Sequence, residues 1–208
     1  FEGLDLQDQT KPILDKERAY QYDPIGNRTQ ATEAAKPISY ITNELNQYTA
    51  VDNFNPAYDA EGNMTCAPDG MAYTYNAENR LVMAQPQSPT DGDTRVKFAY
   101  DYMGRRVHKA VYAYSSGSWV LTYEFLYVYD GWNLIKEINT PKGRAASDKY
   151  YVWGLDLSQT LQGAGGVGGL LAVVEGSLTY HYTYDVNGNV GQVVEVGEGS
   201  IAAHYEYD

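Results

Sequence analysis

Apolar and polar residues alternate with a period of two along most of the chain, and each run of alternation stops at an acid or amide. The runs end in Tyr20-Gln-Tyr22-Asp23, Tyr73-Thr-Tyr75-Asn76, Phe98-Ala-Tyr100-Asp101, Tyr127-Val-Tyr129-Asp130, Tyr182-Thr-Tyr184-Asp185 and Tyr205-Glu-Tyr207-Asp208. A shorter copy, Ala57-Tyr58-Asp59, lacks the first aromatic. Period-two alternation reads as β-strand, with the two aromatic positions on one face and the variable positions on the other. Aromatic rings on one face stack on neighbouring strands, so that face is the committed packing side. Self-similarity at a fixed phase makes the chain an array, in which a residue present in every copy is scaffold before it is active site.

Each acid opens a turn. Asp23 is followed three residues later by Gly26, Asp59 by Gly62, Asp101 by Gly104 and Asp185 by Gly188; Asn79 after Asn76 and Asn133 after Asp130 take the same place. An Asp or Asn at the head of a turn accepts hydrogen bonds from the backbone it reverses, and Gly or Asn tolerates the left-handed conformation three residues on. The repeat is therefore strand, Asx-led turn, strand. The expected fold is all-β: antiparallel hairpins joined into a long curved sheet. Helical periodicity is poor, with a short helix expected only over Arg28 to Lys36. Exposed loops are expected at Pro86 to Gly92 and Thr140 to Gly143.

Composition narrows the function. The 208 residues carry a formal net charge of -12, so no cationic stripe is available for phosphates and nucleic-acid binding is disfavoured. Tyr numbers 21 against 4 Phe, which makes the aromatic face amphipathic rather than oily. Cys66 is the sole cysteine, so no disulfide forms within the chain. The start, Phe1-Glu2-Gly3-Leu4-Asp5, is acidic and lacks the apolar region of a signal peptide. The longest apolar run, Gly163 to Val174, is too short and glycine-rich to span a bilayer. Asp208 falls where a repeat turn should begin, so the chain reads as a piece of a longer protein.

The motifs resemble the YD repeat of the Rhs family. The residues that carry the resemblance are Tyr22-Asp23-Pro-Ile-Gly26-Asn27-Arg28, Tyr58-Asp59-Ala-Glu-Gly62-Asn63, Tyr75-Asn76-Ala-Glu-Asn79-Arg80-Leu81, Tyr100-Asp101-Tyr-Met-Gly104-Arg105-Arg106 and Tyr184-Asp185-Val-Asn-Gly188-Asn189. Tyr40-Ile-Thr-Asn43-Glu-Leu-Asn46-Gln-Tyr48 is similar to a further variant. Tyr151-Val-Trp153-Gly154-Leu-Asp-Leu-Ser158, with the glycine-rich Leu161 to Leu171, resembles the Rhs repeat-associated core region. The resemblance covers roughly residues 18 to 208. It implies a YD-repeat array over residues 1–150, with the core region and terminal repeats over 151–208 continuing that array. It further implies a segment of a hollow β-sheet shell, as in bacterial polymorphic toxins, the Tc toxin cocoon and the teneurins. The implied partners are further YD repeats and a C-terminal toxic cargo of the same polypeptide, and the implied location is secreted or at a bacterial cell surface. Toxin relatives release cargo at an Asp-Pro-x-Gly-Leu motif; Asp23-Pro-Ile-Gly26 is similar but continues with Asn27 and reads as an ordinary turn.

Candidate chemistry is sparse. Gly163-Ala-Gly165-Gly-Val-Gly168 matches the dinucleotide fingerprint, but no βαβ context surrounds it, and a tight loop entering a buried strand is the better reading. His181 and His204 occupy equivalent repeat positions and would need alignment in register and further ligands to hold a metal. The acids Asp23, Asp59, Asp101, Asp130 and Asp185 share one turn environment, unlike the paired carboxylates of a hydrolase. Asn27-Arg-Thr29 and Asn63-Met-Thr65 are glycosylation sequons inside repeat turns. No catalytic, cofactor or metal residue is assigned. The structural residues are the repeat positions Tyr22, Asp23, Gly26, Tyr58, Asp59, Gly62, Tyr75, Asn76, Tyr100, Asp101, Gly104, Tyr129, Asp130, Tyr184, Asp185, Gly188, Tyr207 and Asp208. The leading reading is a non-enzymatic shell segment. Its rival is a surface adhesion or carbohydrate-binding module, with Trp119 and Trp132 as the glycan contacts because neither belongs to the repeated aromatic pair.

Overall fold

A computed structural model describes residues 3–4, 12–13, 18–34 and 36–207. Among them every regular element is a strand and every pairing is antiparallel. The chain forms two compact units, Phe1–Pro89 and Thr90–Asp208.

In the first unit, β1 (Gly3–Leu4) pairs with β2 (Pro12–Ile13). A four-stranded sheet comes next, in chain order: β3 (Arg18–Tyr22), β4 (Arg28–Glu33), β5 (Lys36–Thr42) and β6 (Tyr48–Val51). A second run in chain order comprises β7 (Ala57–Tyr58), β8 (Met64–Cys66), β9 (Met71–Tyr75) and β10 (Leu81–Pro86). The helix expected over Arg28 to Lys36 is instead the strand β4, the turn at Ala34 and the start of β5. Its Ala, Glu and Lys favour helix, but β4 pairs on both sides, with β3 and β5, and Ala31 is 1% exposed between them. Pairing with two neighbours outweighs a weak local propensity.

The second unit is a meander of β11 (Thr94–Tyr100), β12 (Arg106–Ser115), β13 (Ser118–Asp130), β14 (Asn133–Pro141), β15 (Ser147–Trp153), β16 (Leu170–Glu175), β17 (Leu178–Tyr184), β18 (Val190–Glu195) and β19 (Ile201–His204), each paired with the next. The last copy of the motif departs from expectation: β19 ends at His204, Tyr205 and Tyr207 lie beyond it, and Asp208 is outside the described residues.

Face alternation holds in the second unit. On β17 the rings of Tyr180, Tyr182 and Tyr184 are sheltered while His181 and Thr183 are exposed, and on β13 Tyr127 is buried between exposed Leu126 and Val128. Sheltering comes from cross-strand partners rather than from a second layer. Arg106 lies 5.4 Å from the Phe98 ring and 5.1 Å from the Tyr127 ring, and Lys109 lies 5.0 Å from the Phe125 ring. Aromatic faces therefore attract cations along the ladder, a cation–π pattern that an aliphatic face does not offer. The opposite face is less polar than strict alternation implies, since Leu126, Val128, Tyr150 and Val152 are all exposed there.

Candidate functional site

The Asx turns share one geometry. In the Asp23 turn, Asp23 N donates to Asn27 O (2.8 Å) and Gly26 N to Asp23 O (3.1 Å). Asp23 Oδ1 accepts from Ile25 N and Asn27 N, and Oδ2 accepts from Asn27 Nδ2. The same backbone bonds recur around Asn43, Asp59, Asn76, Asp101 and Asp185, with Gln47, Asn63, Arg80, Arg105 and Asn189 as fifth residues. The fourth residue has positive φ in every case: Gly26, Asn46, Gly62, Asn79, Gly104 and Gly188. A Cβ-bearing residue other than Asn or Asp is costly there. The pKa values of Asp23, Asp59 and Asp185 are lowered, chiefly by the side-chain amide of the fifth residue. At Asp101 burial opposes the shift, and the Arg105 guanidinium, 2.7 Å away, overcomes it. These carboxylates are engaged by their own turns.

Asp130 is the exception. It pairs directly with Asn133, and the reversal is made by two residues, Gly131 and Trp132, with positive φ at Gly131 rather than at Asn133. A two-residue hairpin leaves no fifth residue to bind the acid. Asn133 therefore does not fill the place that Gly26 fills. Conversely, Ala67 to Met71 adopts the same backbone turn with alanine in the acid position, Gly70 being the residue of positive φ.

Neighbouring turns are connected by side chains. Asn27 Nδ2 donates to Asn46 Oδ1 (3.1 Å) and Asn63 Nδ2 to Asn79 Oδ1 (2.9 Å). Arg105 donates to the carbonyl of Gly131, and a Cβ on Gly62 would stand 3.2 Å from Gln47 Nε2. In each case the fifth residue of one turn meets the left-handed residue of the next. Sequence reasoning saw both positions but not the link between them.

A second regularity explains why the closing aromatic is tyrosine. Tyr129 Oη donates to Arg106 O (2.9 Å), Tyr184 Oη to Leu170 O (2.5 Å) and Tyr58 Oη to Tyr48 O (3.1 Å); Trp153 Nε1 donates to Leu134 O (2.7 Å). Each acceptor lies at or next to the start of the strand behind, and Arg106, Leu134 and Leu170 lie past the point where the ladder between the two strands stops: β12 and β13 pair only as far as His108 and Leu126, β14 and β15 as far as Lys136 and Tyr150, β16 and β17 as far as Ala172 and His181. The phenol thus satisfies a carbonyl that the ladder leaves without a partner. Replacing Tyr129 by Phe is expected to cost about 1–2 kcal/mol through that carbonyl. Urea melts of Tyr129→Phe check it, and unchanged stability would dismiss the capping role.

The most elaborate site is one the repeat pattern did not mark. Asp156 is the buried charged side chain of the described residues, 2% exposed. It opens a turn of the same kind: Asp156 N donates to Thr160 O, Gln159 N donates to Asp156 O, and Gln159 has positive φ. Oδ1 accepts from Ser158 N (2.9 Å) and Ser158 Oγ (2.6 Å); Oδ2 accepts from Ala164 N (2.7 Å) and Gly166 N (3.2 Å). The Ser158 hydroxyl, with the loop amides after it, holds the Asp156 pKa down to about 2. Glycine-rich loops present backbone N–H groups to anions, and here the anion is the chain's own carboxylate. That accounts for the fingerprint-like Gly163–Gly168 without any nucleotide. The loop is wedged between its neighbours: Gln162 Nε2 donates to Asn133 Oδ1, and a Cβ on Gly188 would stand 2.6 Å from Val167 and 2.9 Å from Leu157. The legible signal was an acid three residues before the left-handed Gln159, hidden because no Tyr immediately precedes it.

The remaining candidates are dispersed. Trp119 stands opposite Tyr114, with the Arg95 guanidinium 4.3 Å from its ring, so one face is occupied. Trp132 is 57% exposed at the hairpin tip, and Tyr102, in the adjacent turn, is 89% exposed. His181 lies opposite Val194 and His204 opposite Gln192, so the two rings do not share a register position. No group of three His, Cys, Asp or Glu among the described residues is placed to hold a metal.

Against known proteins, no family profile matches the sequence and no curated protein matches it. Solved structures do. The chain is similar in fold to a TcdB2-TccC3-TEV crystal structure (TM-score 0.65, 17% identity), with 92% of this chain and 10% of that one covered. It is also similar to TcdB2-TccC3 without its hypervariable C-terminal region (TM-score 0.63, 16% identity, 92% and 9% covered). A further match is the Tc holotoxin pore of Photorhabdus luminescens (TM-score 0.51, 16% identity, 92% and 9% covered). The fold is therefore shared with these TcdB2-TccC3 chains, and this chain spans about a tenth of their length.

Proposed function

We propose that this chain is a structural segment of a YD-repeat shell that encloses a polypeptide cargo, and that it carries no catalysis of its own. The observation that supports this most directly is the match to TcdB2-TccC3 without its hypervariable C-terminal region, where 92% of this chain finds its counterpart with that region absent. The side-chain chemistry is consistent with the same role. Turn carboxylates are held by their own turns, tyrosine phenols by carbonyls, and the glycine loop by Asp156. A surface built this way uses its polar groups for rigidity. Its mechanism is exclusion: strands hydrogen-bonded in order, with neighbouring turns linked by side chains, keep an enclosed segment from solvent and proteases. The likeness to toxin complexes supports a shell that acts outside the cell that makes it. Among the described residues no helix is long and apolar enough to cross a membrane.

The deciding experiment is electron microscopy of the longest natural polypeptide that carries this sequence. Hollow particles with density inside are expected. Open particles enclosing nothing, together with glycan-array binding that Trp132→Ala abolishes, would replace enclosure by surface adhesion.

A further inference from the structure

The first unit holds an open groove of about 840 Å³ on one side of the place where the four-stranded sheet ends at β6 and the next run begins at β7. Three aromatic rings line it, Tyr40, Tyr48 and Phe54, with the Tyr40 and Tyr48 rings 5.2 Å apart and tilted by 57°. Three carboxylates, Glu33, Asp52 and Asp69, stand around them, and no Lys, Arg or His is among the lining residues. Glu33 is opposite Arg18 and Lys36 in the ladders, so its charge is offset within the sheet. Asp52 and Asp69 are different. Asp52 Oδ1 accepts from Ser39 N and Oγ, and Asp69 Oδ1 accepts from Met71 N. Both residues are exposed.

Rings beside carboxylates select a positive charge on an apolar stem: the ring faces take the stem and the cation, and the carboxylates take the remaining N–H donors. The chain shows this preference within the same aromatic cluster, where Arg28 lies 4.4 Å from the Tyr20 ring and 5.6 Å from the Tyr40 ring. The groove volume falls in the range that accommodates a substantial ligand rather than a single ammonium ion. We infer that this groove docks an extended polypeptide through a lysine side chain, the ammonium held between Asp52 and Asp69 and the methylenes against Tyr40, Tyr48 and Phe54. This docking is independent of whether the array closes into a shell.

The test uses the full chain and two peptides, acetyl-Gly-Val-Lys-Val-Gly-amide and its norleucine counterpart, which keeps the methylenes and lacks the ammonium. Chemical-shift titration should show the lysine peptide perturbing Tyr40, Tyr48 and Phe54, with the norleucine peptide at least about fivefold weaker. Asp52→Asn combined with Asp69→Asn should weaken the lysine peptide by a similar factor. Both amides keep an oxygen for their backbone donors, and Asn tolerates the positive φ of residue 52. Asp148→Asn, which removes a carboxylate from the second unit, should leave binding unchanged and so controls for the general attraction of an acidic protein. Equal affinity for the two peptides, or full binding by the double variant, overturns the inference.

Discussion

Asp156→Ala is expected to lower the melting temperature by at least about 5 °C, because four donors of the loop lose their acceptor at once. Those donors are Ser158 N, Ser158 Oγ, Ala164 N and Gly166 N. Added formate should restore part of the loss in Asp156→Gly, where the vacated site matches a free carboxylate, and should do nothing for the wild-type chain. The pH dependence is set by the sign of the shift. The folded carboxyl titrates near 2, below its ordinary 3.8. Its stabilisation is therefore complete above the ordinary value and is lost as pH falls toward 2, where the unfolded chain takes up the proton more readily. Melting curves of wild type and Asp156→Asn should converge between about pH 4 and pH 2. The variant keeps some acid sensitivity of its own, because Asp23, Asp59, Asp101 and Asp185 are shifted in the same direction. Parallel curves for the two proteins would remove Asp156 from the centre of the loop.

Tyr127→Ala is expected to cost about 3–5 kcal/mol, the range for deleting a large buried ring. Tyr127 is 8% exposed, and its ring is one of the two that the Arg106 guanidinium lies over, so alanine leaves a void and removes one of that cation's two rings. Tyr22→Ala, on the aromatic face of another repeat, is expected to stay within about 0.5 kcal/mol of wild type, because surface substitutions rarely do more. Tyr22 is 55% exposed, and its neighbour Tyr20 is 43% exposed. Urea denaturation of the two variants compares them directly. Equal losses would mean that membership of the repeat, rather than burial, sets the energetics.

That contrast marks the limit of what the sequence discloses. The period-two runs read correctly, as did the Asx turns and the glycine or asparagine at the fourth position of every turn except that of Asp130, since each reflects a local rule with a short range. The helix expected over Arg28 to Lys36 failed because its residues favour helix while β3 and β5 supply the pairing that decides the matter. Asp130 failed for a subtler reason. Its neighbours Gly131 and Trp132 permit a tighter reversal than the five-residue turn, and a motif match does not distinguish the two. Asp156 escaped notice because its donors, Ala164 and Gly166, lie eight and ten residues onward in a loop that looked like a nucleotide fingerprint. The hydroxyl caps were equally invisible: 21 tyrosines against 4 phenylalanines signalled that the phenol mattered, but only the stopping points of the ladders show what it binds.

The turn-to-turn links have a consequence for how such a chain lengthens. Asn27 reaches Asn46 and Asn63 reaches Asn79 by one rule that joins each hairpin only to its successor. A duplicated hairpin brings both halves of that rule with it, a donor for the unit ahead and an acceptor for the unit behind. Gene duplication can then add or remove whole units while disturbing a single junction, and recombination between unlike members succeeds wherever the two halves agree. On this rule the junction residues must match as a pair, while the intervening strands have no part in the link that keeps the array in order.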